Sequence, residues 1–172
     1  MIHLLLGGAR SGKSRRAVAL AGRRPSVVFL ATAGRRDGEM RRRIAAHRRE
    51  RPTAWRTIEE SRRVPERLAA LAPGSTVVLD CITLWIARLM TDRVPDRGIL
   101  AAVDRLVTTT RARRLRLIAV SNEVGSGVIP PTPAGRKFQD LLGTVNARVA
   151  RAATRVELLV AGLPVAVKGG RR

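Results

Sequence analysis

Eight residues near the N terminus, GGARSGKS (7–14), carry the spacing G-x-x-x-x-G-K-[ST], with Gly7, Gly12, Lys13 and Ser14 in the defining places. Between a strand and a helix, such a loop turns successive backbone N–H groups, here those of Gly8, Ala9, Arg10 and Ser11, toward phosphate oxygens. The N terminus of the following helix adds its partial positive charge at the same spot. Lys13 can reach β- and γ-phosphates, and the Ser14 hydroxyl can ligate Mg²⁺. A site of this kind needs a carboxylate near the metal. Asp80 closes the apolar run VVLD, at the strand edge where open α/β sheets bind ligands, and can hold Mg²⁺ through water. Asp80 could also cap a helix beginning near Cys81, and both roles can hold at once. Cys81 itself reads as core packing.

A second constellation lies in RRRIAAHRRERPTAW (41–55), where His47 stands among arginines. On a helix, Met40, Ile44, His47 and Arg51 share one face. Its apolar members turn that face toward the protein body, so His47 points inward or along a cleft. A histidine packed at the edge of the core has the same spacing. The chemical reading is that a neutral imidazole attacks a nucleotide α-phosphate and displaces pyrophosphate, leaving a phosphoramidate. Arg48, Arg49 and Arg51 would stabilise the charge developing on phosphate and hold the imidazole unprotonated. Position 46 is alanine, so His47 is the one candidate nucleophile of the stretch. The other histidine, His3, begins the first strand in no comparable setting.

Positioning these groups requires alternating strands and helices. HLLL (3–6) reads as a buried strand, Ser11 to Ala21 as a helix, and VVFLAT (27–32), entered through Pro25, as a second strand. Asp37 can cap a helix running to about Arg49, which Pro52 stops. Helices follow over Val64 to Leu71 and Ile82 to Met90, with the strand TVVLD (76–80) between them. TDRVPDRG (91–98) reads as a polar loop and Ile99 to Arg113 as a helix. RLIAVSNEV (116–124) is a fourth strand running into a Gly- and Pro-rich loop (125–135), and such long irregular loops often carry binding function. Arg136 to Ala153 is helical. RVELLVAGLPVAV (155–167) reads as two strands joined through Gly162-Leu163-Pro164, an antiparallel hairpin at the sheet's edge. The expectation is one α/β domain over 1–168 with a mostly parallel sheet, and a frayed tail at 169–172.

The 172 residues suffice for one buried core. No apolar run approaches the roughly 20 residues of a membrane span. The apolar segment of MIHLLLGG is too short for a signal peptide. One cysteine excludes an internal disulfide and fits a reducing compartment, so a cytoplasmic location is the default. The formal net charge of +21 would attract polyanions. However, the arginines are scattered from Arg10 to Arg172, and aromatic residues are only 2% of the chain, too few to stack bases. A solvated basic surface, without specific nucleic-acid binding, is the simpler reading.

The order GGARSGKSR, HRRERPTAWRT (47–57), DCIT (80–83), SNEVGSGVIP (121–130) and VNARVA (145–150) resembles the bifunctional adenosylcobinamide kinase/adenosylcobinamide-phosphate guanylyltransferases of cobalamin biosynthesis. The resemblance covers most of the chain, residues 91–115 being uninformative. It implies a P-loop NTPase domain of the RecA-like type, assembled as a homotrimer. It also implies two activities. One phosphorylates the aminopropanol hydroxyl of adenosylcobinamide from ATP or GTP; the other transfers GMP from GTP to that phosphate through a guanylylated histidine. By the resemblance, residues 7–14 cradle nucleotide phosphates and His47 carries the GMP. Thr32, Ala33, Gly34, Arg48, Arg49, Glu50, Arg51 and Glu59 contact the guanine nucleotide. A carboxylate such as Glu59 suits the guanine N1–H and N2–H₂. The NEVGSG loop (122–127), with Asn122, Glu123 and Gly125, faces the corrinoid. The proline-rich PPTPAG (130–135) departs from the family's pattern. On residues alone two alternatives stand beside this one: another small-molecule P-loop kinase with a structural His47, and a basic nucleic-acid-binding protein.

Overall fold

Strands that are apolar at nearly every position are buried on both faces, as β1 (Ile2–Gly7), β4 (Thr76–Asp80) and β5 (Arg116–Val120) are. In the computed structural model, which describes residues 1–22, 26–33 and 52–170, they form the centre of a seven-stranded sheet. β2 (Val27–Ala31) and β3 (Arg56–Glu59) extend it on one side, and β6 (Arg155–Val160) and β7 (Leu163–Lys168) on the other. The strand order is β3-β2-β4-β5-β1-β6-β7. Every pairing is parallel except β6 with β7.

The helices are α1 (Lys13–Ala21), α2 (Val64–Ala69), α3 (Ile82–Thr91), α4 (Asp96–Ala112) and α5 (Pro133–Ala152). Alternate strand residues divide between two cores, as the two-residue period of a strand requires. Val28, Leu30, Val77, Leu79 and Leu117 face α2 to α5, around the fully buried Trp85. Val27, Phe29, Val78 and Ile118 face the opposite way, onto Ala17 and Ala21 of α1 and onto Trp55. This is the α/β architecture expected, including the C-terminal hairpin.

Several boundaries differ from the sequence reading. β3 was not expected. It is an edge strand, and of its four residues only Ile58 is even half-buried, so no apolar alternation marks it. α4 starts at Asp96 rather than Ile99. Gly98 looks like a loop residue but lies in the first turn, where its N–H bonds to Pro95 O at 2.8 Å. α5 starts at Pro133 rather than Arg136, because Thr132 Oγ1 accepts the Gly135 N–H at 3.1 Å and proline fits the first helical position. α1 starts at Lys13 rather than Ser11, and residues 121–124 lie beyond the end of β5. The hairpin turns on Ala161 (φ 50°) and Gly162 (φ 85°), both left-handed, so Leu163 and Pro164 belong to β7. A two-residue turn of that hand matches the twist of its strands. The expected helix from Asp37 to Arg49, with Gly34, His47, Arg48, Arg49, Glu50 and Arg51, lies outside the described residues, as does the strand entry at Pro25.

Candidate functional site

The parallel strands end together along one edge. Register places Asp80 opposite both Val120 and Ala31, Ala31 opposite Glu59, and Gly7 opposite Leu159. The edge therefore carries the glycine loop, Thr32, Glu59, Asp80 and the segment after β5, and α1 starts from it.

β1 enters the loop through Gly7 at φ 148°. A Cβ there would fall 2.6 Å from Leu159 O and 2.7 Å from Ser11 Oγ, so only glycine fits. Gly12 holds a left-handed φ of 89° at the cap of α1, and Arg10 is also left-handed. A Cβ on Gly12 would lie 3.4 Å from Gly162 Cα, so the hairpin tip forms one wall of the loop. Lys13 folds back inside the curve. Its Nζ donates to Gly8 O at 2.5 Å and to Ser11 Oγ at 3.4 Å, and the residue is buried. Gly8, Ala9 and Arg10 are exposed, while Ser14 is half-buried in the first helical turn. Burial lowers the pKa of Lys13, and the nearby negative charge of Asp80 partly offsets this. Burial likewise pushes the adjacent Cys81 thiol up to about 12, so it stays neutral and adds no charge. Lys13 and Asp80 thus lie near enough along this edge for their charges to interact, with β5 between their strands.

Thr32 is buried and wholly engaged with the backbone beside Asp80. Its N–H donates to Asp80 O at 3.1 Å, and its Oγ1 accepts the Cys81 N–H and donates to Cys81 O, both at 2.7 Å. The hydroxyl therefore ties the end of β2 to the backbone that follows Asp80. Ala33 follows, half-buried. Glu59 ends β3 with an exposed side chain. β3 stands four strand spacings from β1, roughly 19 Å at about 4.8 Å each, so the edge does not bring Glu59 to the glycine loop.

Beyond β5 the chain is stitched to β1: Ser121 N–H donates to Leu5 O at 2.9 Å and Glu123 N–H to Gly7 O at 3.0 Å. Asn122 and Glu123 are half-buried and Gly125 is exposed. The Glu123 carboxylate turns back to accept the Gly125 N–H at 2.7 Å.

Two polar clusters went unforeseen. Under the 121–124 segment, Ser121 Oγ donates to Asn146 Oδ1 at 2.7 Å, and Asn146 Nδ2 donates to Asn122 O at 3.0 Å. Thr83 Oγ1 accepts the Asn122 N–H at 2.7 Å. Thr83, Ser121 and Asn146 are all buried. A buried polar group in an apolar helix face, Asn146 in TVNARVA, was the one signal available in sequence. Under α1, Arg16 grips Glu157 with two bonds, Nε to Oε2 at 2.8 Å and Nη2 to Oε1 at 2.9 Å. His3 Nε2 lies 3.2 Å from Glu157 Oε1 without the alignment of a hydrogen bond. The Arg16 bonds hold the Glu157 carboxyl below the usual carboxylate range, and burial lowers the His3 imidazole. Through this pair, β6 anchors the first turn of the helix that follows the glycine loop.

Among the described residues no group of three or more His, Cys, Asp or Glu could hold a metal ion, and no helix is long and apolar enough to cross a membrane. A metal held by one hydroxyl, water and phosphate oxygens needs no such group.

The sequence profile of the family described as "Cobinamide kinase / cobinamide phosphate guanyltransferase" matches residues 3–167. The chain is 37% identical over 181 residues to the bifunctional adenosylcobalamin biosynthesis protein CobU of Escherichia coli, covering 98% of this chain and 100% of that one. It is 42% identical over 171 residues to the bifunctional adenosylcobalamin biosynthesis protein CobP of Pseudomonas aeruginosa, covering 98% of each. Among solved structures, a prototypical ATPase from a type III secretion system is similar with a TM-score of 0.47 at 12% identity, over 96% of this chain and 56% of that one. By its profile match and these near full-length relatives, the chain belongs to the cobinamide kinase / cobinamide phosphate guanyltransferase family.

Proposed function

We propose that this protein phosphorylates adenosylcobinamide and then transfers GMP from GTP to the resulting phosphate, forming adenosylcobinamide-GDP in cobalamin biosynthesis. The observation that carries the reading is the glycine loop with Lys13 buried inside it, within the influence of the Asp80 charge, in a chain that belongs to this family. In the kinase step, the N–H groups of residues 8–14 and the Lys13 ammonium bind the phosphates of ATP or GTP and stabilise the charge of the transferring group. Ser14, and Asp80 through water, would hold Mg²⁺, which supplies charge neutralisation on the phosphates. In the transferase step, the neutral His47 imidazole attacks the GTP α-phosphorus. A P–N bond forms, the bond to the β-phosphate oxygen breaks, and pyrophosphate leaves. An oxygen of the acceptor phosphate then attacks the same phosphorus and releases the histidine. Arg48, Arg49 and Arg51 neutralise charge on the phosphate. Thr32, Ala33, Gly34, Glu50 and Glu59 complete the guanine-nucleotide contacts, and Asn122, Glu123 and Gly125 face the corrinoid. A single domain over 1–168, a homotrimeric assembly and a cytoplasmic location belong to the same reading.

The test is incubation with GTP labelled at the α-phosphate. The protein should acquire an acid-labile, base-stable GMP adduct that His47→Ala abolishes. Lys13→Ala should abolish cobinamide phosphorylation. If His47→Ala still loads GMP, the transferase assignment is refuted; if Lys13→Ala retains full kinase turnover, the loop assignment is.

A further inference from the structure

Val128 and Ile129 are 92% and 73% exposed, more than any other large apolar side chain among the described residues. An exposed apolar residue on a loosely held loop needs no explanation. These two stand on a loop that is fastened at both ends. Its entry is bonded to β1 through the Glu123 N–H on Gly7 O, and α5 holds it from below through Asn146 on Asn122 O and Gln139 Nε2 on Val124 O at 2.7 Å. Its exit is held by Arg136 Nη1, which donates to Pro130 O at 3.0 Å and Pro131 O at 2.9 Å, and by the Thr132 cap of α5. Two consecutive prolines stiffen that exit further. The chain is held on both sides of residues 125–129, yet the two apolar side chains at its tip stand largely in solvent. Order of this kind, established before contact, is what lowers the cost of binding.

The place of the loop says what covers it. Its root shares the strand end that opens the glycine loop, and Val128 is five residues from Glu123, a reach of at most about 17 Å. A ligand resting on the tip can therefore extend a side arm to the edge of the sheet. A corrinoid has that shape: a bulky macrocycle with a methyl-bearing rim, and a reacting hydroxyl or phosphate on a flexible arm. We infer that Val128 and Ile129 form the apolar rest on which the corrinoid acceptor's rim is seated while its arm enters the site. The inference rests on the corrinoid acceptor named in the proposed function, and it adds the residues that set acceptor affinity. A second copy of this chain is the competing occupant, and the nearness of the loop root to the glycine loop favours the acceptor over it.

The test is the double variant Val128→Ser/Ile129→Ser in the full chain, with Val128→Ile/Ile129→Leu as the conservative control. The dissociation constant for cobinamide, read by equilibrium dialysis from the corrinoid's own colour, should rise about tenfold or more, the discrimination that apolar contacts supply. The KM for cobinamide should rise in parallel. GMP loading from GTP, which needs no corrinoid, and the thermal midpoint should match the wild type, and the conservative control should keep wild-type affinity. Unchanged cobinamide affinity in the serine variant overturns the inference while leaving the two activities standing. So does a change in sedimentation at unchanged cobinamide affinity, which would assign the tip to a second copy. A wild-type protein that neither binds cobinamide nor loads GMP overturns the proposed function and this inference with it.

Discussion

Glu157→Gln keeps the shape of a buried side chain and removes its charge. In the wild type the carboxylate takes two Arg16 N–H groups at 2.8 and 2.9 Å, with its own side chain 12% exposed and that of Arg16 34% exposed. Removing one partner of a fully buried pair costs about 3–5 kcal/mol, whereas an exposed pair is worth about 0–1 kcal/mol. Arg16 reaches water along a third of its surface, so solvent takes up part of the lost interaction and the expected cost is about 1–2 kcal/mol at neutral pH. For a chain of this length that lowers Tm by about 2–8 °C. The pH dependence makes the assignment sharper. The folded pKa of Glu157 lies below its ordinary 4.5, so the stabilisation is fully present above 4.5 and is lost as pH falls through the folded value. Wild type and variant should therefore converge in acid, because a protonated Glu157 resembles glutamine. His3, lowered from 6.5 by burial and partly restored by the Glu157 charge, favours the folded state above 6.5 and weakens it as pH falls below, an acid limb that is larger in the variant, where that charge is gone. Urea midpoints for the two proteins, measured from pH 7.5 down to 4, read the difference directly. Equal midpoints at pH 7.5, or a difference that grows below pH 4.5, would refute the reasoning.

Other substitutions probe the site and the core separately. Gly7→Ala should cost about 1–3 kcal/mol from the strained backbone alone and should weaken nucleotide binding, since its Cβ would strike Leu159 O and Ser11 Oγ; calorimetric titration with a non-hydrolysable nucleotide, together with Tm, reads both. Trp85→Ala empties the centre of the larger core and deletes the Nε1–H bond to Arg62 O at 3.2 Å, for a loss of about 3–5 kcal/mol in chemical denaturation. If its urea midpoint stayed at the wild-type value, the packing account would be wrong.

Much of the fold was legible because its signals are local. The glycine loop is written in eight consecutive residues, and β2, β4 and β5 are short apolar runs closed by polar residues. β3 was hidden because an edge strand covered on one side by a single half-buried Ile58 carries no pattern. The starts of α4 and α5 were hidden because Gly98 and Pro133 resemble loop residues until their first-turn bonds are seen. At the site, Lys13 and Asp80 were each legible by themselves, from the motif and from the polar end of an apolar strand. The supports beneath them were not legible: Arg16 and Glu157 stand 141 positions apart, and Ser121 and Asn146 stand 25 apart. No local spacing encodes such contacts. Thr32 illustrates the same limit, since its hydroxyl is engaged by the backbone of Cys81, 49 positions away.

The place of β1 in the sheet has a consequence for how the chain acquires its shape during synthesis. β1 lies between β5 and β6, both of which come more than 100 positions later in the chain, and the Met1 ammonium is bonded to Leu115 O across 114 positions. Until those late strands emerge, the glycine loop has no sheet edge to stand on, and the hairpin tip that walls Gly12 comes later still. Contacts of such separation slow folding, because the intervening chain must be ordered before they form. A nascent chain should therefore gain nucleotide affinity only after β6 has been synthesised.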